Sequence, residues 1–348
     1  MKISQRLAAI IVFMIIVWSG ICLAQTQSGQ LESVDRIGTT AAQFLKIGAG
    51  ARPIGMGSAY SALATDILAV YWNPAGLSRI NRNGEAVFNH GIWLADTKYN
   101  FAAFSINVGA IGSVALQVTS FHTPEQPVRT VKNPEGDGRL WDANSFAMGI
   151  SYAKNLTDQF SIGFSLKYLS ERIFNASATG AAMDLGILYD TPLKNLTLGA
   201  AITNFGTKMR MDGRDLRFNN DPLPQQGSVS NVPSQYRTEY YNIPLNLKFG
   251  VAYKAVSNDD YSILVAADGV QPSDNSPSIN GGLEVGIKNI IFLRGGYKSL
   301  FIENSEESFT FGAGLRYDVV GTNLKFDFGW ADFGRLKNVQ FISLAIRY

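Results

Sequence analysis

The chain has 348 residues, with 30 Lys and Arg against 28 Asp and Glu, a net charge of +2, and 34 Gly. This near balance, without any basic run interleaved with aromatics, excludes nucleic acid as a partner. A mean hydropathy of +0.03, with no apolar run near the roughly 18 residues of a spanning helix after the first two dozen, excludes a bundle of membrane helices.

Residues 1–24 have the form of a secretory signal: Lys2 and Arg6, an apolar core from Leu7 to Trp18, then small residues with cleavage placed after Ala24. Cys22 is not read as a lipidation site, because Ile21 stands where that signal wants a small residue. Cleavage leaves no cysteine, so disulfides and thiolate metal sites are not expected, and no cofactor is expected either.

Residues 25–84 read as a polar leader followed by a plug. The segment 44–77, rich in Gly and Ala and ending in the turn-forming Asn73-Pro74-Ala75-Gly76, fits none of the repeating pattern that follows it. One short helix is expected from residue 39 and a second over 58–69. Helices this short are marginal alone, so they need walls to pack against.

From Glu85 to Tyr348 the signal is period-two alternation. Phe160, Ile162, Phe164, Leu166 and Tyr168 share one face, and Ser161, Gly163, Ser165 and Lys167 the other. Fourteen such segments are expected, near 85–93, 97–107, 110–120, 142–153, 158–171, 179–190, 194–205, 243–254, 260–270, 278–288, 290–298, 307–319, 321–331 and 339–348. Most reach the 9 to 11 residues of a tilted spanning strand; a soluble sandwich manages with about 5 or 6.

The aromatics crowd the apolar face, the other face is Gly, Ser, Thr, Asn and scattered charge, and tight turns alternate with longer loops at 121–141, 172–178, 206–242, 271–277, 299–306 and 332–338. These features predict an all-β fold: a transmembrane antiparallel β-barrel of about 14 strands over 85–348, lipid outside, polar lumen inside, with a short helical N-terminal plug. Its longer loops face the exterior.

Gly50 and Gly55 have the spacing of a phosphate loop, but Met56 and Gly57 follow where Lys and Ser or Thr belong. These glycines are read instead as positions of close packing and positive φ. With His90 and His122 the only histidines and no nucleophile elbow, no enzyme is expected. Lys167, Lys248, Glu284, Arg294, Arg316, Lys325 and Asp327 are expected to face the lumen, and Lys46, Arg52 and Asp66 are the plug's own candidates to meet them. Mutual neutralisation that locks the plug is the preferred reading of this set. The loops 121–141 and 206–242 offer Trp141 and Tyr236 as a binding rim.

The runs Phe44-Leu-Lys-Ile-Gly-Ala-Gly-Ala-Arg52, Gly55-Met-Gly57 and Val70-Tyr-Trp-Asn-Pro-Ala-Gly-Leu77, with the weaker Ala331-Asp-Phe-Gly-Arg-Leu336, resemble the PorV/PorQ family of outer-membrane proteins. The Asn-Pro-Ala-Gly element is shared more loosely with FadL-type transporters. The resemblance implies a FadL-like barrel in the bacterial outer membrane that binds secreted cargo and delivers it to the translocon and attachment components of type IX secretion. The alternative it leaves open is a FadL-like passive transporter with a hydrophobic ligand.

Overall fold

A computed structural model describes residues 36–348 except 81, 223–224, 226–230, 304 and 320. The expected signal at 1–24 and almost all of the leader lie outside the described residues.

Fourteen long strands form one closed antiparallel sheet: β1 (Gly84–Ile92), β2 (Lys98–Asn107), β3 (Ser113–His122), β4 (Ala143–Asn155), β5 (Phe160–Ile173), β6 (Ala176–Asp190) and β7 (Leu196–Gly206), then β8 (Asn246–Ser257), β9 (Tyr261–Pro272), β10 (Ser278–Ile287), β11 (Ile291–Leu300), β12 (Phe309–Val319), β13 (Thr322–Asp332) and β14 (Asn338–Arg347). Each strand pairs with its sequence neighbours, and β14 closes the ring on β1 with Leu344 opposite Phe88. Closure leaves no sheet edge, which a β structure in lipid requires.

The alternation resolves as expected. Phe164, Leu166, Tyr168, Phe249, Val251, Ile342 and Leu344 are exposed on the outer wall, while Ser161, Ser165 and Ser343 are buried inside. The loop expected at 172–178 is not there: β5 and β6 run on, and the chain reverses through Phe174, at positive φ, and Asn175. Glu171, Arg172 and Ile173 still pair with Ala178, Ser177 and Ala176, because hydrogen-bonded pairing extends past the alternating stretch that marked the strands.

Residues 43–80 lie inside the barrel as short pieces: a 3₁₀ turn at Gln43–Lys46, helical turns at Ala51–Gly55 and Ala69–Trp72, and a 3₁₀ stretch at Pro74–Arg79. The helix expected over 58–69 is instead a series of turns, with only its last residue entering Ala69–Trp72. Asp66 accounts for part of this, since its carboxylate accepts the Leu68 amide at 3.2 Å in a local turn that competes with helix.

The polar-lumen expectation also needs correction. Phe44, Leu45, Ile54, Met56, Tyr60, Ile67 and Trp72 form an apolar core inside the barrel. At its loop end Tyr99, Phe101 and Phe341 point inward from the wall, fully buried. Phe101 meets Tyr71 edge-on at 6.1 Å, and Trp93 and Phe333 close over the cluster 5.0 Å apart. A plug that buries its own apolar surface needs apolar partners on the wall where it touches, so those positions reverse the general pattern.

Candidate functional site

The plug is fastened at both ends. On the loop side Ala41 donates to the carbonyl of Asn242 at 2.9 Å, and Asp274, in the β9–β10 loop, accepts from Thr40 at 2.7 Å, Gln43 at 2.9 Å and Lys46 at 3.0 Å. Burial alone raises the Asp274 carboxyl, but the donors of Gln43, Thr40 and Lys46 outweigh it and hold the group below the usual carboxylate range. On the turn side Ser78 donates to Asn155 at 2.6 Å, and Arg79 meets Asp190 at 2.8 Å.

Between these fastenings the plug backbone lies directly against glycines of the wall. The glycines come as cross-strand pairs in register: Gly163 with Gly186, Gly199 with Gly250, Gly282 with Gly296, and Gly312 with Gly329. A Cβ at Gly329 would sit 2.6 Å from the Ala51 carbonyl oxygen, and one at Gly282 would collide with the carbonyl of Met56. Gly57, at φ +64°, turns the chain where it presses on Tyr297. Paired wall glycines open windows into which peptide backbone fits, a close approach that any side chain forbids.

The Asn73-Pro74-Ala75-Gly76 element occupies the Gly163–Gly186 window. The Asn73 side chain donates to Ser61 O at 2.8 Å in the plug and to Ile187 O at 2.9 Å in the wall, while its oxygen accepts from the Ala75 amide at 3.3 Å. Gly76 is required for a different reason, since a Cβ there would run into the Ala64 carbonyl within the plug. The wall half of these windows was legible only as Gly on the inward parity of a strand, a signal the strand reading did not use.

The lumen charges gather in two layers. In the turn-side half, Arg52 of the plug binds Glu284 through two hydrogen bonds of 2.8 and 2.9 Å and also meets Asp66 at 3.3 Å. Arg294 continues the chain to Glu284 and Asp327, both at 2.6 Å. Nearby, Glu85 takes Lys325 at 2.6 Å and Arg347 at 2.9 Å, and Arg316 lies over the Phe292 ring at 4.7 Å. In the loop-side half, Lys167 pairs with Asp184 at 2.8 Å and Lys248 lies over Trp72 at 4.6 Å. All seven expected lumen residues sit inside, but Asp184, which takes Lys167, and Glu85, which takes both Lys325 and Arg347, were not singled out. Their inward parity was the available clue.

Two spaces flank the plug. A vestibule of about 610 Å³ on the turn side is lined by Arg52, Asp66, Arg79, Lys254, Arg316 and Arg347 among others. A smaller cavity of about 70 Å³ on the loop side is ringed by Lys46, Lys167, Lys248 and Lys298.

On the loop face Trp141 is half-buried in a two-residue ribbon against Gln126, and Tyr236 is 64 % exposed, its ring tilted by 32° against that of Phe218 at 4.6 Å. Tyr236 follows a small hairpin of Arg217–Asn220 against Val232–Gln235 that rises from the longest loop. Trp141 and Tyr236 thus belong to separate loop structures. Glu306 and Arg335 tie two further loops, and hydrogen bonds from Arg335 hold the Glu306 carboxyl low.

A family model described as type IX secretion system protein PorV matches residues 30–220. No curated protein matches the chain. Among solved structures, the Pseudomonas putida toluene transporter TodX is similar at 12% identity and TM-score 0.55, over 86% of this chain and 97% of that one. A Pseudomonas aeruginosa FadL homologue is similar at 12% and 0.51, over 86% and 98%, and the Ralstonia pickettii toluene transporter TbuX at 13% and 0.51, over 86% and 97%. At these identities the likeness is one of fold: a FadL-like barrel.

Proposed function

Because the chain belongs to the PorV family and is an outer-membrane β-barrel of type IX secretion, we propose that its loop face holds secreted cargo proteins and presents them to the translocon and attachment components. The observation that carries this reading is the occupied lumen. Residues 40–80 are fastened to the wall at the loop end through Asp274 and at the turn end through Arg79. The spaces left on either side are lined by charge.

A transporter of hydrophobic molecules needs an apolar path, and dehydrating these charges along one is costly. The loop face, with Phe218 and Tyr236 in ring contact and the hairpin beside them, has the mixed aromatic and polar character of a protein-binding rim. The reading is non-enzymatic, and it includes export through removal of residues 1–24.

The test is recovery of the intact protein from its host membrane. Co-purification of secreted proteins sharing a C-terminal domain, lost when residues 217–235 are replaced by a short turn, supports the reading. Consistent failure to recover cargo in a host with the secretion machinery, together with impaired uptake of hydrophobic solutes after deletion of the protein, would replace it with the transporter alternative.

A further inference from the structure

The outer wall is not evenly apolar. Counted from the turn side, the outward positions of β5 are apolar from Phe160 to Tyr168 and those of β12 from Val319 to Phe309, spans of about 20 and 25 Å at about 2.5 Å of height per residue in a tilted strand. On β1, β2 and β3 the apolar surface begins in the β2–β3 turn, where Val108 and Ile111 are exposed, and ends at Phe88, Ala102 and Val118. Those three stand only about 10–13 Å above their strand ends, whereas an apolar belt is about 25 Å tall.

Above them the outward side chains are polar and adjoin across the strands. His90 stands opposite Asn100, and Asn100 opposite Ser120; in the next row Lys98 stands opposite His122, and His122 opposite Asn144. Gln340 extends the patch onto β14 beside Ile92, its apolar exception. His90 Nδ1 donates to Asn100 Oδ1 at 2.7 Å. Among the described residues the side chains of Lys98, Ser120, His122 and Asn144 have no hydrogen bond or ion pair, and the Asn144 amide oxygen is buried as well.

Acyl chains do not suit such a surface, because polar groups left unpaired in hydrocarbon are costly. A bilayer meets a short apolar belt by thinning against it, which lowers headgroups onto the polar rows. The leaflet concerned is the one on the loop side. The patch presents an ammonium, imidazoles and amides, and no outward position of β1–β4 carries a carboxylate. Asp142 at the rim is taken by Arg172 at 2.6 Å, and Asp96, exposed in the β1–β2 loop, makes no ion pair with Lys98 among the described residues. A second copy of this face would set Lys98 against the same donors, whereas an anionic phosphate complements them.

We propose that the loop-side wall of β1–β4 seats the headgroup of a phosphorylated glycolipid of the outer leaflet. Lys98 and His122 meet a phosphate, Asn100, Ser120 and Asn144 meet sugar hydroxyls, and the acyl chains lie below over Phe88, Ala102 and Val118. The site depends on the barrel's place in the outer membrane and not on what the loops hold.

The chain's single cysteine is Cys22, so a cysteine placed in the wall reports alone once the wild-type signal is subtracted. Ser120→Cys and Ala313→Cys are outward positions at similar heights above the turn-side ends of β3 and β12. The full-length variants are placed in phosphatidylcholine nanodiscs and treated with a charged, water-soluble maleimide. Ser120→Cys is expected to react about tenfold faster than Ala313→Cys. Diphosphoryl lipid A at about one lipid in ten slows Ser120→Cys threefold or more, dephosphorylated lipid A does not, and adding Lys98→Gln abolishes the slowing. Should Ser120→Cys not give the compact form on unboiled gels, Asn100→Cys takes its place. Equal reactivity of the two wall positions overturns the short belt. No protection by lipid A, equal protection by its dephosphorylated form, or undiminished protection in Lys98→Gln overturns the lipid site. Protection in native membranes that lipid A does not reproduce, with cross-linking of this wall to another protein, overturns it in favour of a protein partner.

Discussion

Arg52 of the plug grips Glu284 of the wall through two parallel hydrogen bonds, Nε to Oε2 at 2.8 Å and Nη2 to Oε1 at 2.9 Å. The fork geometry of guanidinium and carboxylate makes this the strongest class of polar contact available between the two parts. Arg52 also reaches Asp66 at 3.3 Å and the Tyr60 hydroxyl at 3.0 Å, so removing it strips several acceptors at once. Replacing Arg52 with Ala is expected to cost about 3 kcal/mol, the low end for breaking a buried pair, because Arg294 still neutralises Glu284. The shift in urea midpoint of the compact form on unboiled gels measures it. A midpoint displaced by less than about 0.5 kcal/mol would show that the clasp does not hold the plug.

The glycine windows give a contrast between adjacent residues. Gly282 faces the plug and has no room for a Cβ, whereas a Cβ at Gly281 would meet nothing within 4 Å. Gly282→Ala is expected to destabilise the folded barrel by about 1–3 kcal/mol through overpacking, and Gly281→Ala to stay within about 0.5 kcal/mol of wild type. Equal midpoints for the two variants would mean that the plug does not seat against this wall.

The loop-side fastening depends on pH through Asp274. Its carboxyl is held below its ordinary value, so it contributes stability that is fully present above that ordinary value of about 3.9 and is lost as pH falls through the lowered folded value. The fastening therefore persists at neutral pH and releases only below about pH 4. Hydrogen exchange of residues 40–47 should accelerate in that acid window in wild type. In Asp274→Asn, exchange there should already be fast at pH 7; wild-type protection in that variant would contradict the account.

Tyr236 provides a test confined to the loop face. Tyr236→Ala removes a ring whose tilted contact with Phe218 is worth about 0.5–1.5 kcal/mol to the hairpin beyond buried area, and should leave the stability of the barrel itself unchanged. Cargo recovered with the variant is expected to fall while unboiled-gel mobility matches wild type. Undiminished recovery would move the binding surface elsewhere on the loop face.

Most of the barrel was legible because strand parity is a local property. Phe164 and Ser165 declare opposite faces whatever the rest of the chain does, and the tight turns set which strands are neighbours. Two kinds of error came from outside that logic. Tyr99, Phe101 and Phe341 face inward against expectation because the plug, not lipid, is their solvent. The helix expected over 58–69 is instead a run of turns, because Asp66 competes for backbone donors and the wall satisfies what the plug backbone does not satisfy itself.

The sequence alone therefore determined the closed antiparallel architecture, the outward lipid face and the existence of an inserted segment at 44–77, since each follows from periodicity and composition within short windows. Which lumen charges neutralise one another and which glycines form windows were decided only by the tertiary structure. Arg52 and Glu284 are 232 residues apart in sequence, and Gly163 and Gly186 become one opening only when their strands pair in register. Such relationships depend on closure of the whole ring around the plug, and no local pattern encodes them.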